Sequence, residues 1–220
     1  MTLIVLNFKT YKEATGQAAL TLAQICEEVA AQASVKIAVA PQFADLHPIS
    51  TKVKIPVYSQ HVDGARYGSF TGHVTAASLK AAGASGSLIN HSERRLKLAE
   101  VEASLAACRS FGLSSIICTN NVATTKAAAA LEPDYVAVEP PELIGSGIPV
   151  SKADPEVVRG SVEAVKRIAP RVGVLCGAGI TTGEDLRAAL DLGSEGVLLA
   201  SGIVKAKDQR RALEELVTGA

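Results

Sequence analysis

A carboxylate, an imidazole and an ammonium group each stand just past a short apolar run in this sequence. Glu139 follows Tyr135-Val136-Ala137-Val138 and leads into Pro140-Pro141-Glu142-Leu143-Ile144-Gly145-Ser146-Gly147, a loop with prolines at one end and glycines at the other. That is how a general base under a hinged lid would be written. Lys9 belongs to Asn7-Phe8-Lys9, and His91 to Asn90-His91-Ser92-Glu93-Arg94-Arg95. Ser92-Glu93 reads as the opening of a helical turn, which would aim a ring nitrogen of His91 at the amide end of a helix dipole and disfavour its protonation. Taken singly, a lysine past a strand is a solvated surface charge and a histidine there a satisfied structural residue. Glu139 is harder to explain that way, because a carboxylate beside a dry core costs energy unless it is paired or used. Together a base, a neutral imidazole donor and a fixed cation suit proton abstraction next to a carbonyl, with His91 and Lys9 stabilising the developing enolate oxygen. A positioned base contributes roughly 10²–10⁴-fold and one oxyanion donor about 10²–10³-fold, so the set is needed jointly.

Three glycine-bearing segments offer a handle for the substrate. Gly145-Ser146-Gly147, Cys176-Gly177-Ala178-Gly179 and Ala200-Ser201-Gly202 expose backbone N–H groups without bulky side chains, and the last two fall where barrels bind phosphate. Tight βα turns need glycine in any case, but three in this order point to a phosphorylated ligand. Residues 64–72 form a longer loop carrying Tyr67 and Phe70, which suits packing against a neighbouring subunit as well as against its own chain.

These residues must be positioned by regular elements, and the chain supplies an alternation. Apolar, turn-bounded runs occur near residues 3–6, 36–40, 57–61, 87–90, 115–119, 135–138, 173–176 and 196–200. Helical patterns lie between them at 15–33, 44–50, 75–82, 96–111, 122–131, 155–168, 182–192 and 207–217, with Thr75 as an N-cap, Pro155 in a first turn, and Gly112 and Gly193 as C′ residues. The runs are apolar on both faces, as in a parallel sheet covered by helices. We expect one α/β domain over residues 1–220, a (β/α)₈ barrel, in preference to a doubly wound open sheet. A barrel gathers Asn7, Lys9, Gln60, Asn90, His91, Glu139 and the glycines at 177, 179 and 202 around one axis, whereas an open sheet spreads them along a line. No G-x-G-x-x-G follows the first run.

Composition narrows the classes further. Hydrophobic residues make up 48% of the 220, and 22 basic side chains balance 22 acidic ones, which leaves no charge footprint for nucleic acid or an anionic membrane. The N-terminus has no basic leader and no apolar stretch approaches the ~20 residues of a membrane span, so the expected location is the cytoplasm. Cys26, Cys108, Cys118 and Cys176 are far apart in sequence, without C-x-x-C, and read as reduced packing residues, with no metal site.

Asn7-x-Lys9, Tyr67-Gly68-Ser69-Phe70-Thr71-Gly72, His91-Ser92-Glu93-Arg94-Arg95, and Glu139-Pro140 leading to Ile144-Gly145-Ser146-Gly147 occur in this order across the whole chain. In that respect the sequence resembles the triosephosphate isomerase family, and its short length and Pro141-Glu142-Leu143 lid resemble the archaeal branch. The resemblance implies interconversion of glyceraldehyde 3-phosphate and dihydroxyacetone phosphate without cofactor or metal, in a homo-oligomer, a tetramer built from dimers. The family is itself the standing example of a glutamate base beside a neutral histidine electrophile. Carried over by motif, Glu139 shuttles the proton, His91 polarises the carbonyl oxygens, and Asn7 and Lys9 hold the substrate. Glu93 organises Lys9 or the neighbouring subunit's loop. Ile144, Gly145, Gly179, Ala200 and Ser201 contact phosphate, and Thr71 reaches across a dimer. The lid would exclude water and hold the phosphate where the enediolate cannot expel it. Departures from the family pattern are Asn90 where glycine usually precedes the histidine, His73 where glutamate often follows Thr-Gly, a lid without tryptophan, and Cys-Gly-Ala-Gly without the usual serine. They shift phosphate binding toward backbone amides. Other phosphate-binding barrels, or a non-catalytic barrel that senses a metabolite, would lack the joint set of Asn7, Lys9, His91 and Glu139.

Overall fold

A computed structural model describes residues 1–140, 143 and 149–220. Eight parallel strands form one sheet in the order β2-β1-β8-β7-β6-β5-β4-β3. They are β1 (Leu3–Asn7), β2 (Lys36–Ala40), β3 (Tyr58–Ser59), β4 (Gly86–Ile89), β5 (Ser114–Thr119), β6 (Tyr135–Val138), β7 (Gly173–Gly177) and β8 (Gly196–Leu199). A parallel bridge between Val39 and Val57, with the Val39 N–H donating to the Pro56 carbonyl at 3.1 Å, joins β2 to the chain entering β3 and closes the ring. The fold is a (β/α)₈ barrel.

The period of two along each strand sorts side chains into two cores. Leu3, Val5, Ala38, Ala40, Leu88, Ile116, Cys118, Ala137, Leu175 and Leu198 meet inside the barrel. Ile4, Leu6, Ile37, Val39, Ile89, Ile117, Val136, Val138, Val174, Cys176, Val197 and Leu199 point outward and are covered by helices. Each fully buried aliphatic side chain contributes about 1.5–3 kcal/mol, which is why strands with two apolar faces are stable only in this sandwiched setting.

The covering helices are α1 (Gln17–Ala33), α2 (Phe43–Ser50), α3 (Ala76–Ala81), α4 (Leu98–Ser110), α5 (Val122–Ala129), α6 (Val150–Ala153), α7 (Pro155–Ile168), α8 (Gly183–Asp191), α9 (Ser201–Val204) and α10 (Gln209–Val217). The expected punctuation is in place. The Thr75 side chain accepts from the Ser78 N–H, Pro155 opens α7 behind an Asp154 cap, and Gly112 and Gly193 follow the ends of α4 and α8 at φ of 59° and 93°.

Several expectations need correction. The third run shrinks to Tyr58–Ser59, because the Ser59 hydroxyl donates to the His61 carbonyl and draws the chain off the ladder. The fourth helix starts at Leu98 rather than residue 96, with Lys97 as its cap and Glu100 accepting from the Lys97 N–H at 2.8 Å. The short helices α6 and α9 and a 3₁₀ turn at Lys12–Ala14 were not anticipated. All four cysteines are buried and unbridged. Among the described residues no helix is long and apolar enough to cross a membrane.

Candidate active site

Strand alternation places the first of the site residues. Leu3 and Val5 face the barrel interior, so Asn7 does as well, at 4% exposure, while Phe8 turns outward and is fully buried under the helices. Lys9 follows in a left-handed conformation, φ 47°. Non-glycine residues adopt that region at some cost, and only when neighbours impose it. Here they do: the Lys9 N–H donates to Asn7 Oδ1 at 3.0 Å, and the Lys9 carbonyl accepts from Gln60 Nε2 at 2.9 Å. Gln60 Nε2 also donates to the Ala40 carbonyl at 3.0 Å, so one amide ties the ends of β1 and β2 together. The Lys9 side chain is only 11% exposed, so it is not a solvated surface lysine. Its Nζ lies 2.8 Å from Glu93 Oε1.

Glu139 extends β6 by one residue, its N–H donating to the Thr119 carbonyl at 2.8 Å. Since Ala137 faces inward, Glu139 does too, and it is 6% exposed. Its Oε2 has no hydrogen-bond partner among the described residues. Burial pushes the Glu139 pKa above the ordinary 4.5, while His91, Lys9 and a hydrogen bond with the Cys118 thiol pull it down, and Glu93 adds to the rise. The same contact, on top of burial, holds the Cys118 thiol well above its usual range. On β7, Gly177 stands beside Glu139, and a Cβ there would lie 2.4 Å from Glu139 Cγ. The base occupies space that exists only because residue 177 has no side chain.

His91 reaches the same cleft by a different device. Leu88 faces inward and Ile89 outward, so continued alternation would send Asn90 inward and His91 out among the helices. Asn90 has φ 63° and breaks that alternation. His91 is 6% exposed, and its Nε2 lies 3.7 Å from Glu139 Oε2. No helix dipole acts on the ring, because residues 91–94 form a turn closed by the Arg94 N–H on the His91 carbonyl at 2.8 Å. The amide of that turn does the work instead: the Glu93 N–H donates to His91 Nδ1 at 3.2 Å. A nitrogen that accepts carries no proton, so the ring proton sits on Nε2 and faces the base and the cleft.

Asn7, Lys9, His91 and Glu139 line one cleft together with Ala178, Gly179, Ala200, Ser201 and Gly202. Ala178 and Gly179 are consecutive left-handed residues, φ 76° and 74°, at the end of β7. A second recess lined by Tyr11, Gln60, Glu93 and Arg94 opens beside Lys9. Thr71 is exposed and lines neither, in a loop where Tyr67 is 82% exposed. Ile144, Gly145, Ser146 and Gly147 of the expected lid lie outside the described residues. Among the described residues no group of three or more His, Cys, Asp and Glu side chains could hold a metal ion. Reading by motif overlooked Cys118 and the steric role of Gly177. Both occupy inward positions of strands flanking β6, and strand alternation was the available signal.

The whole chain matches known proteins. A family model for triosephosphate isomerase covers residues 2–219. A triosephosphate isomerase of Methanosarcina barkeri is 68% identical over 97% of this chain and 96% of its own length. Those of Methanococcoides burtonii and Methanocaldococcus jannaschii are 67% and 59% identical, each over 98% of both chains. Sequence agreement of that extent, over a barrel whose strand ends gather Asn7, Lys9, His91 and Glu139 in one cleft, leaves a single assignment: the chain belongs to the triosephosphate isomerase family.

Proposed function

We propose that this chain interconverts D-glyceraldehyde 3-phosphate and dihydroxyacetone phosphate by proton transfer through an enediolate, an aldose–ketose isomerisation that serves glycolysis and gluconeogenesis. Glu139 takes a proton from the carbon beside the carbonyl and returns it to the neighbouring carbon. His91 donates its Nε2 proton to the carbonyl oxygen as negative charge builds there and takes up the proton of the neighbouring hydroxyl, so that the oxygens exchange a proton as the carbons do, and Lys9 stabilises the charge, with Asn7 holding both Lys9 and the substrate. Backbone amides around Gly179, Ala200 and Ser201, with Ile144 and Gly145 of the glycine-bearing loop, take the phosphate.

The observation that carries this reading is the pair His91 Nε2 and Glu139 Oε2. They are 3.7 Å apart, beyond the 2.7–3.2 Å range of a hydrogen bond, and both face one cleft. A donor and an acceptor held apart across a cleft are what a substrate carbonyl and its α-hydrogen would join. The test is a coupled assay on glyceraldehyde 3-phosphate with the purified chain and no added metal or cofactor. Dihydroxyacetone phosphate should form at the enzyme's own rate, and its absence would refute the reading.

We extend the reading to assembly and location. Tyr67 and Phe70 are exposed on a loop away from their own cleft, and the recess beside Lys9 has room for such a loop from a second copy. Thr71 would then approach Glu93 of its partner in a dimer, with dimers pairing into a tetramer in the cytoplasm. A gel-filtration mass measured across a dilution series tests this, and a monomer at all concentrations would refute it.

A further inference from the structure

Asn90 stands one residue before His91, at the position where the chain leaves strand alternation, and its side chain makes two hydrogen bonds. Asn90 Nδ2 donates to the Cys118 carbonyl at 3.0 Å, and Asn90 Oδ1 accepts from the Leu96 N–H at 2.9 Å. The first replaces a ladder bond. Thr119, the residue after Cys118, gives its carbonyl to Glu139 on β6, so the Cys118 carbonyl faces β4, whose register with β5 ends at Ile89 and Ile117. The second bond fixes the far end of the turn that holds His91, since residues 91–95 lie between the two anchors. Arg95 Nη1 reinforces the corner by donating to the Asn90 carbonyl at 2.9 Å.

We infer that Asn90 is a positioning residue for the isomerase site: its left-handed backbone turns His91 into the cleft, and its side-chain amide clamps the His91 turn to the end of β5, the strand paired with the one that carries Glu139. This rests on the proposed isomerase reading for its kinetic consequence, but not for its geometry. Glycine would adopt φ 63° at no cost, and asparagine is among the few other residues that tolerate it. A glycine here would supply the turn and leave the clamp out. Among the described residues the Cys118 carbonyl would then keep the Arg95 Nη1 contact at 3.4 Å, and the Leu96 amide would lose the Asn90 oxygen. The Glu93 N–H that fixes the ring tautomer of His91 sits inside the clamped segment, so loosening it moves the Nε2 proton relative to the base.

Asn90→Gly tests the clamp without straining the backbone, and Asn90→Asp keeps the acceptor for Leu96 while setting a carboxylate oxygen against the Cys118 carbonyl. Three experiments are run on each purified variant: steady-state kinetics for kcat and KM, a thermal melt, and ¹⁵N NMR of the His91 ring. A displacement of about 1 Å at a reacting group costs on the order of 10²-fold. We expect Asn90→Gly to lower kcat by roughly 10- to 100-fold with KM changed by less than about threefold, and to shift or broaden the His91 ring signals. Asn90→Asp should lose at least as much. Wild-type kcat and unshifted ring signals in either variant would overturn the inference, even if the melting temperature falls, because that pattern belongs to a merely structural asparagine. If the wild-type chain shows no isomerase activity, the functional reading fails, and the ring signals of Asn90→Gly still decide whether Asn90 positions His91.

Discussion

Replacing Glu139 with glutamine keeps the size of the side chain and removes its charge and its basicity, so it separates what the carboxylate does for the reaction from what it costs the fold. For the reaction, a positioned base contributes roughly 10²–10⁴-fold, which at 1.36 kcal/mol per factor of ten is about 2.7–5.4 kcal/mol of barrier. The turnover of Glu139→Gln should fall by that factor, while binding of a phosphorylated substrate analogue changes much less, because the phosphate is held by other groups. For the fold, Glu139 is buried and its Oε2 has no hydrogen-bond partner among the described residues. Burial disfavours the ionised carboxylate, and the neutral amide of the variant does not carry that desolvation cost. The variant should therefore be more heat-stable than the wild type at neutral pH. The sign of its pH dependence follows from burial, which raises the folded pKa of this carboxyl above the ordinary 4.5. The folded chain holds the proton more tightly than the unfolded one, so the cost of the charge grows as pH rises from 4.5 through the folded value. The amide does not titrate, and the gap in melting temperature between the two proteins should close as pH approaches 4.5. Steady-state kinetics and thermal melts across pH check both halves. Near-normal turnover, or a variant that melts below the wild type, would refute the reasoning.

Three further outcomes follow from the same geometry. Gly177→Ala puts a Cβ 2.4 Å from Glu139 Cγ, so the base must move and kcat should drop on the order of 10²-fold while the fold survives; a wild-type kcat would show the space is not needed. Cys118→Ala removes a hydrogen bond that holds the Glu139 pKa down, so the acid limb of kcat/KM should move to higher pH, and a limb that stays put or moves down contradicts the contact. His61, buried and bonded through Nε2 to Asp63 Oδ1 at 2.9 Å, has its pKa pushed below the ordinary 6.5 by burial, against the pull of Asp63. The unfolded chain then binds a proton the folded chain resists, and stability should fall as pH drops below 6.5; in His61→Gln that acid slope of the melting temperature should flatten.

The barrel was legible because its strands are apolar on both faces and its helices are punctuated by residues such as Thr75 at an N-cap and Pro155 in a first turn. Asn7 and Glu139 were legible for a related reason: each lies an even number of residues past an inward-facing position, so alternation alone aims it into the cup. His91 was found by its neighbours in sequence, but the reason it faces inward was not, since that depends on the left-handed backbone of Asn90. The turn expected at Ser92 is there, closed by the Arg94 N–H on His91, but it does not run on into a helix, because Lys97 caps the next helix later. Gln60, Cys118 and Gly177 act through partners on other strands. Their contributions exist only once the sheet has set its register, which no window of the sequence contains.

The central claim is that Glu139 exchanges a proton with a substrate carbon in the cleft it shares with His91 and Lys9. Incubating the wild-type chain with dihydroxyacetone phosphate in D₂O and following the carbon-bound hydrogens by NMR tests it most directly. The account predicts that one of the two hydrogens on the hydroxymethyl carbon is replaced by deuterium, from one face only, and that Glu139→Gln abolishes the exchange. Interconversion of the two triose phosphates with no solvent deuterium in either of them would contradict it.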